Sequence, residues 1–316
     1  MYYPQTAAIR LRLDPVAEAM ATGLLGALFY GVYDINGPRF LWWTWHDTDA
    51  AISERFLNAP FGSTMWILTY TAIHCLLHRW ITRPMPQLSA VLPKVGGDIL
   101  TKMHGFLYSA PGVVKVFFCG ASVTPLFMIA MGIFSVFSLD IPGKPAERTI
   151  GLCLLTYFIV ILWNVRNRQL VVKDKFFPEY DKVLFFFVTL DFCTHTCINA
   201  LGNPENHVSH GVHQTAGSCE VKNYDIMGFE RNEYLCVESD PSQASVTDYQ
   251  TSCAVPGGIA PSPTGMAAEW YSVCGLAHND RVAEFVGLAT IAVIGIASYA
   301  FCLINSKEAL SKRKSK

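Results

Sequence analysis

The chain has no asparagine-linked glycosylation sequon, no CxxC pair, no internal repeat and no low-complexity tract. Each absence removes a reading. Without a sequon no N-linked glycan is implied. Without a CxxC pair neither a thioredoxin-type redox centre nor a zinc knuckle has its ligands in place. Without an inverted repeat the usual transporter architecture loses its sequence signature. Charge is sparse as well, at 16% of 316 residues, while 51% are hydrophobic. Residues 1–15 (MYYPQTAAIRLRLDP) lack the apolar run of a cleavable signal peptide, so the first hydrophobic span is expected to serve as an uncleaved signal.

What the chain has is a series of apolar stretches of membrane-spanning length. Spans are expected at Val16–Tyr33, Gly62–Leu77, Val116–Leu139, Thr149–Val165, Val183–Leu201 and Val282–Ile304. The second is the least apolar, since it holds His74 and runs into His78 and Arg79. The third is expected to kink at Pro125, where the ring removes a backbone donor. The fold class that follows is an all-α polytopic bundle of about six transmembrane helices. Gly23, Gly26 and Gly31 in the first span offer close helix contact. Asn36-Gly37-Pro38 reads as a turn after that span, and Trp42, Trp43 and Trp45 suit an interfacial belt.

Charge and cysteine sort along the chain. Residues 202–280 carry ten acidic side chains against Lys222 and Arg231. The linkers after the second and fourth spans and the 305–316 tail are basic instead. Basic loops stay cytosolic, which places both termini in the cytosol and residues 202–280 in the lumen or outside the cell. The organisation expected is helices 1–5 over 1–201, an acidic four-cysteine loop over 202–280, a sixth helix over 281–304 and a basic tail over 305–316. An acidic extramembrane segment argues against nucleic acid as a partner and leaves the lipid bilayer and a lumenal protein or lipid. Cys219, Cys236, Cys253 and Cys274 are expected to form two disulfides stapling an irregular loop, with three connectivities open. The closing KRKSK places Lys312 and Lys314 as in a dilysine retrieval signal of the endoplasmic reticulum; a plain basic anchor on the anionic leaflet is the alternative.

Two groups of polar residues are candidate sites. Within the membrane, Asp191 and His195 share a helix face, as do His74 and His78. A carboxylate facing an imidazole there would make a proton relay, part of a zinc site, or a hydrogen bond that fixes helix packing. On the lumenal side, His46, Asp47 and Asp49 follow the first span, and His207, His210 and His213 follow the fifth. These are zinc-type ligands too, although their spacing fits no zinc signature; equally, Asp47, Thr48 and Asp49 cap a helix expected at Ala50–Phe56.

The stretches WWTWHDTD (42–49) and GNPENHVSHGVHQ (202–214) resemble an uncharacterised eukaryotic multi-pass membrane family, from the first span through the cysteine loop. That resemblance implies no activity. His74-x3-His78 with Asp191 is similar to the seven-span alkaline ceramidase and adiponectin-receptor group, which would imply zinc held between spans; this chain departs from it with six spans and no early serine-x3-histidine. Three functions are therefore expected to compete. They are a non-enzymatic scaffold, adaptor or lipid/cargo-binding factor, a metal-dependent lipid hydrolase or lipid-modifying enzyme, and a proton-coupled transporter.

Overall fold

The computed structural model describes residues 2–45, 49–82, 99, 101–141, 147–166, 181–225, 228–236, 249–250 and 268–304. Its frame is helical: α1 (Tyr2–Ala8), α2 (Pro15–Arg39), α3 (Phe61–Thr82), α4 (101–109), α5 (Gly112–Phe137), α6 (Glu147–Arg166), α7 (Lys182–Leu201) and α8 (Arg281–Ile304). Five of these, α2, α5, α6, α7 and α8, are long and apolar enough to cross a membrane; α3 has the length but is less apolar. The protein is a membrane helix bundle, and all six expected spans lie on helices.

α2 is the hub. It packs on α1, α3, α6, α7 and α8. Pro15 opens it at a position where a missing N–H costs nothing, and Asp14 caps it by accepting from the Val16 and Ala17 amides at 3.1 and 2.9 Å. One side of α2 builds a core with α1, α7 and α8 around Val32, Phe192 and Tyr299. The other builds a second core with α3, α5 and α6 around Met65, Leu68 and Cys153. Gly23 permits the closest approach in that second core, since a Cβ there would stand 2.6 Å from the Leu68 carbonyl. Gly26 likewise abuts Thr71 of α3, but Gly31 meets no neighbour closer than 3.9 Å.

Contacts define two faces. On the face that carries the N-terminus, Arg10 pairs with Asp181, Asn164 with Asp14, and Gln5 with His78. On the opposite face, Arg39 at the end of α2 meets Glu284 in the first turn of α8 at 2.7 Å, and His278 Nδ1 lies 2.7 Å from the other Glu284 oxygen. There the extramembrane residues form β-structure. A four-stranded sheet is ordered β6 (Leu235–Cys236), β3 (Val208–Gly217), β8 (Ala268–Gly275), β7 (Tyr249–Gln250), beside the hairpin of β4 (Lys222–Tyr224) and β5 (Glu230–Asn232). β3 and β8 run antiparallel from Val208↔Cys274 to Val212↔Trp270, with an irregularity before Ala216. Gly275 seats this sheet on the bundle, as a Cβ there would collide with the Pro204 and Arg39 carbonyls.

Three expectations change. The residues read as irregular loop contain paired strands with a small core of Leu235 and Val273, because ladder hydrogen bonding compensates for few apolar side chains. Asn36-Gly37-Pro38 is not a turn but the last part of α2, which runs to Arg39. Proline is tolerated there because it forfeits only one hydrogen bond, and Gly37 leaves room for the Trp43 ring. Instead of a helix over Ala50–Phe56, a 3-10 turn (Ala50–Ile52) precedes the hairpin of β1 (Arg55–Phe56) and β2 (Ala59–Pro60). Helix α5 continues through Pro125.

Candidate functional site

Asp191, His195 and Asn199 recur every four residues on α7 and so share one face, turned towards Tyr33 and Asn36 of α2. Tyr33 donates its hydroxyl to Asp191 Oδ1 at 2.5 Å, and His195 Nε2 lies 4.0 Å from the same oxygen. Asn36 Nδ2 donates to the His195 carbonyl at 2.8 Å and faces His195 Nδ1 at 3.3 Å. Asn199 Nδ2 donates to Asn36 Oδ1 at 3.1 Å. Since the Asn36 amide is the donor towards Nδ1, the neutral imidazole carries its proton on Nε2, facing Asp191. The Tyr33 ring centre stands 4.0 Å from that of His195 and closes the cluster. Asp191 Oδ2 and Asn199 Oδ1 have no partner among the described residues. This is a nearly self-satisfied polar seam that fixes α2 against α7.

His74 and His78 do not join it. Their rings stack on each other at 6.2 Å on α3, whose buried residues belong to the other core. The expected intramembrane set of His74, His78, Asp191 and His195 is therefore two separate pairs, because α2 stands between α3 and α7. The likeness to zinc-binding seven-span enzymes loses its basis with it.

The extramembrane histidines are likewise dispersed. His207 packs edge-on against Phe40 with centroids 5.3 Å apart, and His210 Nδ1 lies 2.9 Å from the Ser272 hydroxyl across the β3–β8 ladder. His213 is half-buried, and burial holds its ring below the usual histidine range. A spacing of three suits a helix face but alternates sides in a strand. Asp49 is taken by Arg231 at 3.0 Å. Among the described residues, no three His, Cys, Asp or Glu side chains gather closely enough to hold a metal ion. His46, Asp47, Cys253, Lys312 and Lys314 lie outside the described residues, as does the side chain of Cys236. Cys219 is a free thiol in the turn after β3, so the four loop cysteines do not make the two disulfides expected; an even count does not ensure that Cβ atoms meet. Cys274 is not among the free thiols.

The feature that sequence reading missed is a cavity of about 690 Å³ between α2, α6 and α8. Its floor is a stripe of α2 (Ala21, Leu24, Leu28, Gly31 and Ile35) repeating at three and four residues. One wall is α6, with Leu154 and Phe158, and the other is α8, with Ile294 and Phe301. Phe56, Ala59 and Phe61 close the end nearer the sheet; Leu11 and Cys302 stand at the other. Among the described residues that line it, Thr64, Ser298 and Cys302 are the only side chains with a polar or sulfur atom. The stripe was visible as periodicity, but a groove is distinguished from a helix contact only by what the neighbours leave uncovered.

A family model described as a domain of unknown function (DUF7802) matches residues 1–304, and the chain belongs to that family. No curated protein matches the chain, and no solved structure does.

Proposed function

Because membership of this family assigns no activity, we propose from the geometry that the protein is a non-enzymatic lipid-binding membrane protein whose α2–α6–α8 groove receives an acyl chain. The groove itself carries the reading. Its volume lies within the range of small-molecule sites, about 300–1,000 Å³. From Ala21 to Ile35 its floor is about 21 Å long at 1.5 Å per residue. That exceeds half of a hydrocarbon core about 30 Å thick, so the groove accommodates a chain at full leaflet depth. Its lining is almost wholly apolar, as an acyl chain requires.

The remaining expectations fit this reading as proposals. Both termini are cytosolic, the sheet is lumenal and offers a surface to a protein or lipid partner, and Lys312 and Lys314 hold the protein in the endoplasmic reticulum. The hydrolase and the proton-coupled transporter have less support: Tyr33, Asn36 and Asn199 tie Asp191 and His195 into hydrogen bonds between α2 and α7, and His74 is not among them.

The test fills the groove. A Cβ at Gly31 would meet only Ile291 Cγ2, at 3.9 Å, so Gly31→Leu adds bulk in the groove without a backbone clash. Lipid co-purifying with the natural protein in detergent should fall in Gly31→Leu while thermal stability holds. Equal lipid retention in the two proteins, or none in either, would overturn the proposal.

A further inference from the structure

The end of the groove on the N-terminal face adjoins a buried cation. Arg10, in the 3-10 turn Ile9–Leu11, has a side chain only 4% exposed. One nitrogen, Nη2, donates to Asp181 Oδ2 at 3.2 Å; Nε and Nη1 have no partner among the described residues. The next residue, Leu11, lines the groove, and Arg10 lies within electrostatic reach of Cys302, which lines it too. Arg12 follows, half-exposed, its backbone in the left-handed region at φ 53°. Among the described residues, the nearby carboxylates do not compensate for these donors. Asp14 is engaged by the first amides of α2 and by Asn164, and Asp181 reaches Arg10 through one oxygen while its other accepts from the Leu184 amide.

A guanidinium withdrawn from water with two of three nitrogens unpaired is costly unless an acceptor arrives. Each parallel edge of the guanidinium fork pairs Nη2 with Nε or with Nη1, so a phosphate takes two parallel hydrogen bonds from one of these unpaired nitrogens and the second N–H of Nη2. In a bilayer, phosphate is the anion tethered at the end of an acyl chain. We infer that the groove binds a phospholipid, its chain along the α2 stripe and its phosphate on Arg10, with Arg12 supplying further positive charge. This rests on the groove's being an acyl-chain site, and it adds headgroup class and leaflet: the lipid comes from the leaflet on the N-terminal face.

The experiment separates the two layers. Full-length protein, delipidated in detergent, is titrated with dioleoyl phosphatidic acid, dioleoylglycerol and oleic acid, and bound lipid is counted by native mass spectrometry. Phosphatidic acid and dioleoylglycerol carry the same two chains, so only the headgroup varies between them; oleic acid offers one such chain on a carboxylate. Phosphatidic acid should bind at least about tenfold tighter than dioleoylglycerol, a difference near 1.4 kcal/mol. Arg10→Gln should abolish the difference, and Arg10→Lys, which keeps the charge near Asp181 but loses the fork, should retain part of it. Gly31→Leu should weaken both diacyl lipids. Equal binding of phosphatidic acid and dioleoylglycerol, still sensitive to Gly31→Leu, would overturn the phosphate assignment and leave the groove. Oleic acid binding as tightly as phosphatidic acid would also overturn it. Failure of all three lipids would overturn both. Should Arg10→Gln not fold, the lipid comparison in the natural protein and in Arg10→Lys still decides.

Discussion

Tyr33 and Asp191 meet at 2.5 Å between α2 and α7, and this part-buried hydrogen bond joins the two helices. Tyr33→Phe should lower stability in detergent by about 1–2 kcal/mol, the upper end for interhelical hydrogen bonds in membranes. Asp191→Asn added to Tyr33→Phe should cost less than the sum of the two, since both remove one contact. His74→Ala added to Asp191→Asn should instead be additive, because α3 and α7 pack into different cores. Thermal-shift measurements on the four proteins and their doubles test both statements. Coupling between His74 and Asp191 would contradict the arrangement described.

Glu18 and Arg79 form an ion pair between α2 and α3, with the Glu18 side chain 2% exposed. Removing one partner strands the other charge, at a typical cost of about 3–5 kcal/mol. Glu18→Gln should therefore destabilise the bundle strongly. Glu18→Leu combined with Arg79→Met should recover most of that loss, because no buried charge remains. A double variant as unstable as Glu18→Gln would show that the pair does more than neutralise itself.

Burial holds the His213 ring below its usual range, with the Ser209 backbone raising it and nearby His210 lowering it further. The unfolded chain then binds more protons as pH falls below about 6.5, so stability rises with pH in that window. The contribution is complete above the unfolded value and is lost as pH falls towards the depressed folded one. Amide protection factors in β3 and β8, taken relative to the intrinsic exchange rate at each pH, should fall between pH 7 and pH 5. His213→Gln should flatten that dependence; an unchanged slope would place its origin elsewhere.

The spans were legible because apolar runs of bilayer length have few other uses, and each run coincides with a helix. Residues whose role depends on partners remote in sequence were less so. Asp191 and His195 stood out as ionisable groups in an apolar run, yet Tyr33, Asn36 and Asn199 did not, though Asn199 extends the same four-residue stripe. Asn36-Gly37-Pro38 carries the local chemistry of a turn, which the packing around Gly37 overrides. β3 was obscured by Gly211 and Gly217 and by three histidines at or beside the strand, so its alternation is weak. Arg10 looked like a polar residue preceding the first span. Its burial comes from α1 folding back on α2 and α8, which no periodicity encodes.

The sheet register gives the last prediction, the partner of Cys274. Its Cα pairs with Val208 at one end of β3, whereas Cys236 pairs with Gly217 at the other. Those positions are nine residues apart, roughly 30 Å at about 3.3 Å per residue. A disulfide needs Cα atoms within about 7 Å, so Cys236 is out of reach of Cys274. Cys219 has a free thiol and is likewise beyond the far end of β3. Gln250 of β7, by contrast, pairs directly with Cys274, and Cys253 follows it by three residues. Cys274 should therefore be bonded to Cys253, closing a loop of about twenty residues that stabilises by roughly 3 kcal/mol in the chain-entropy account. Peptide mapping of unreduced protein should recover Cys253 linked to Cys274 and Cys219 alkylated. A Cys236–Cys274 peptide would mean that the strand register differs from the one described, and an alkylated Cys274 would remove the bond altogether.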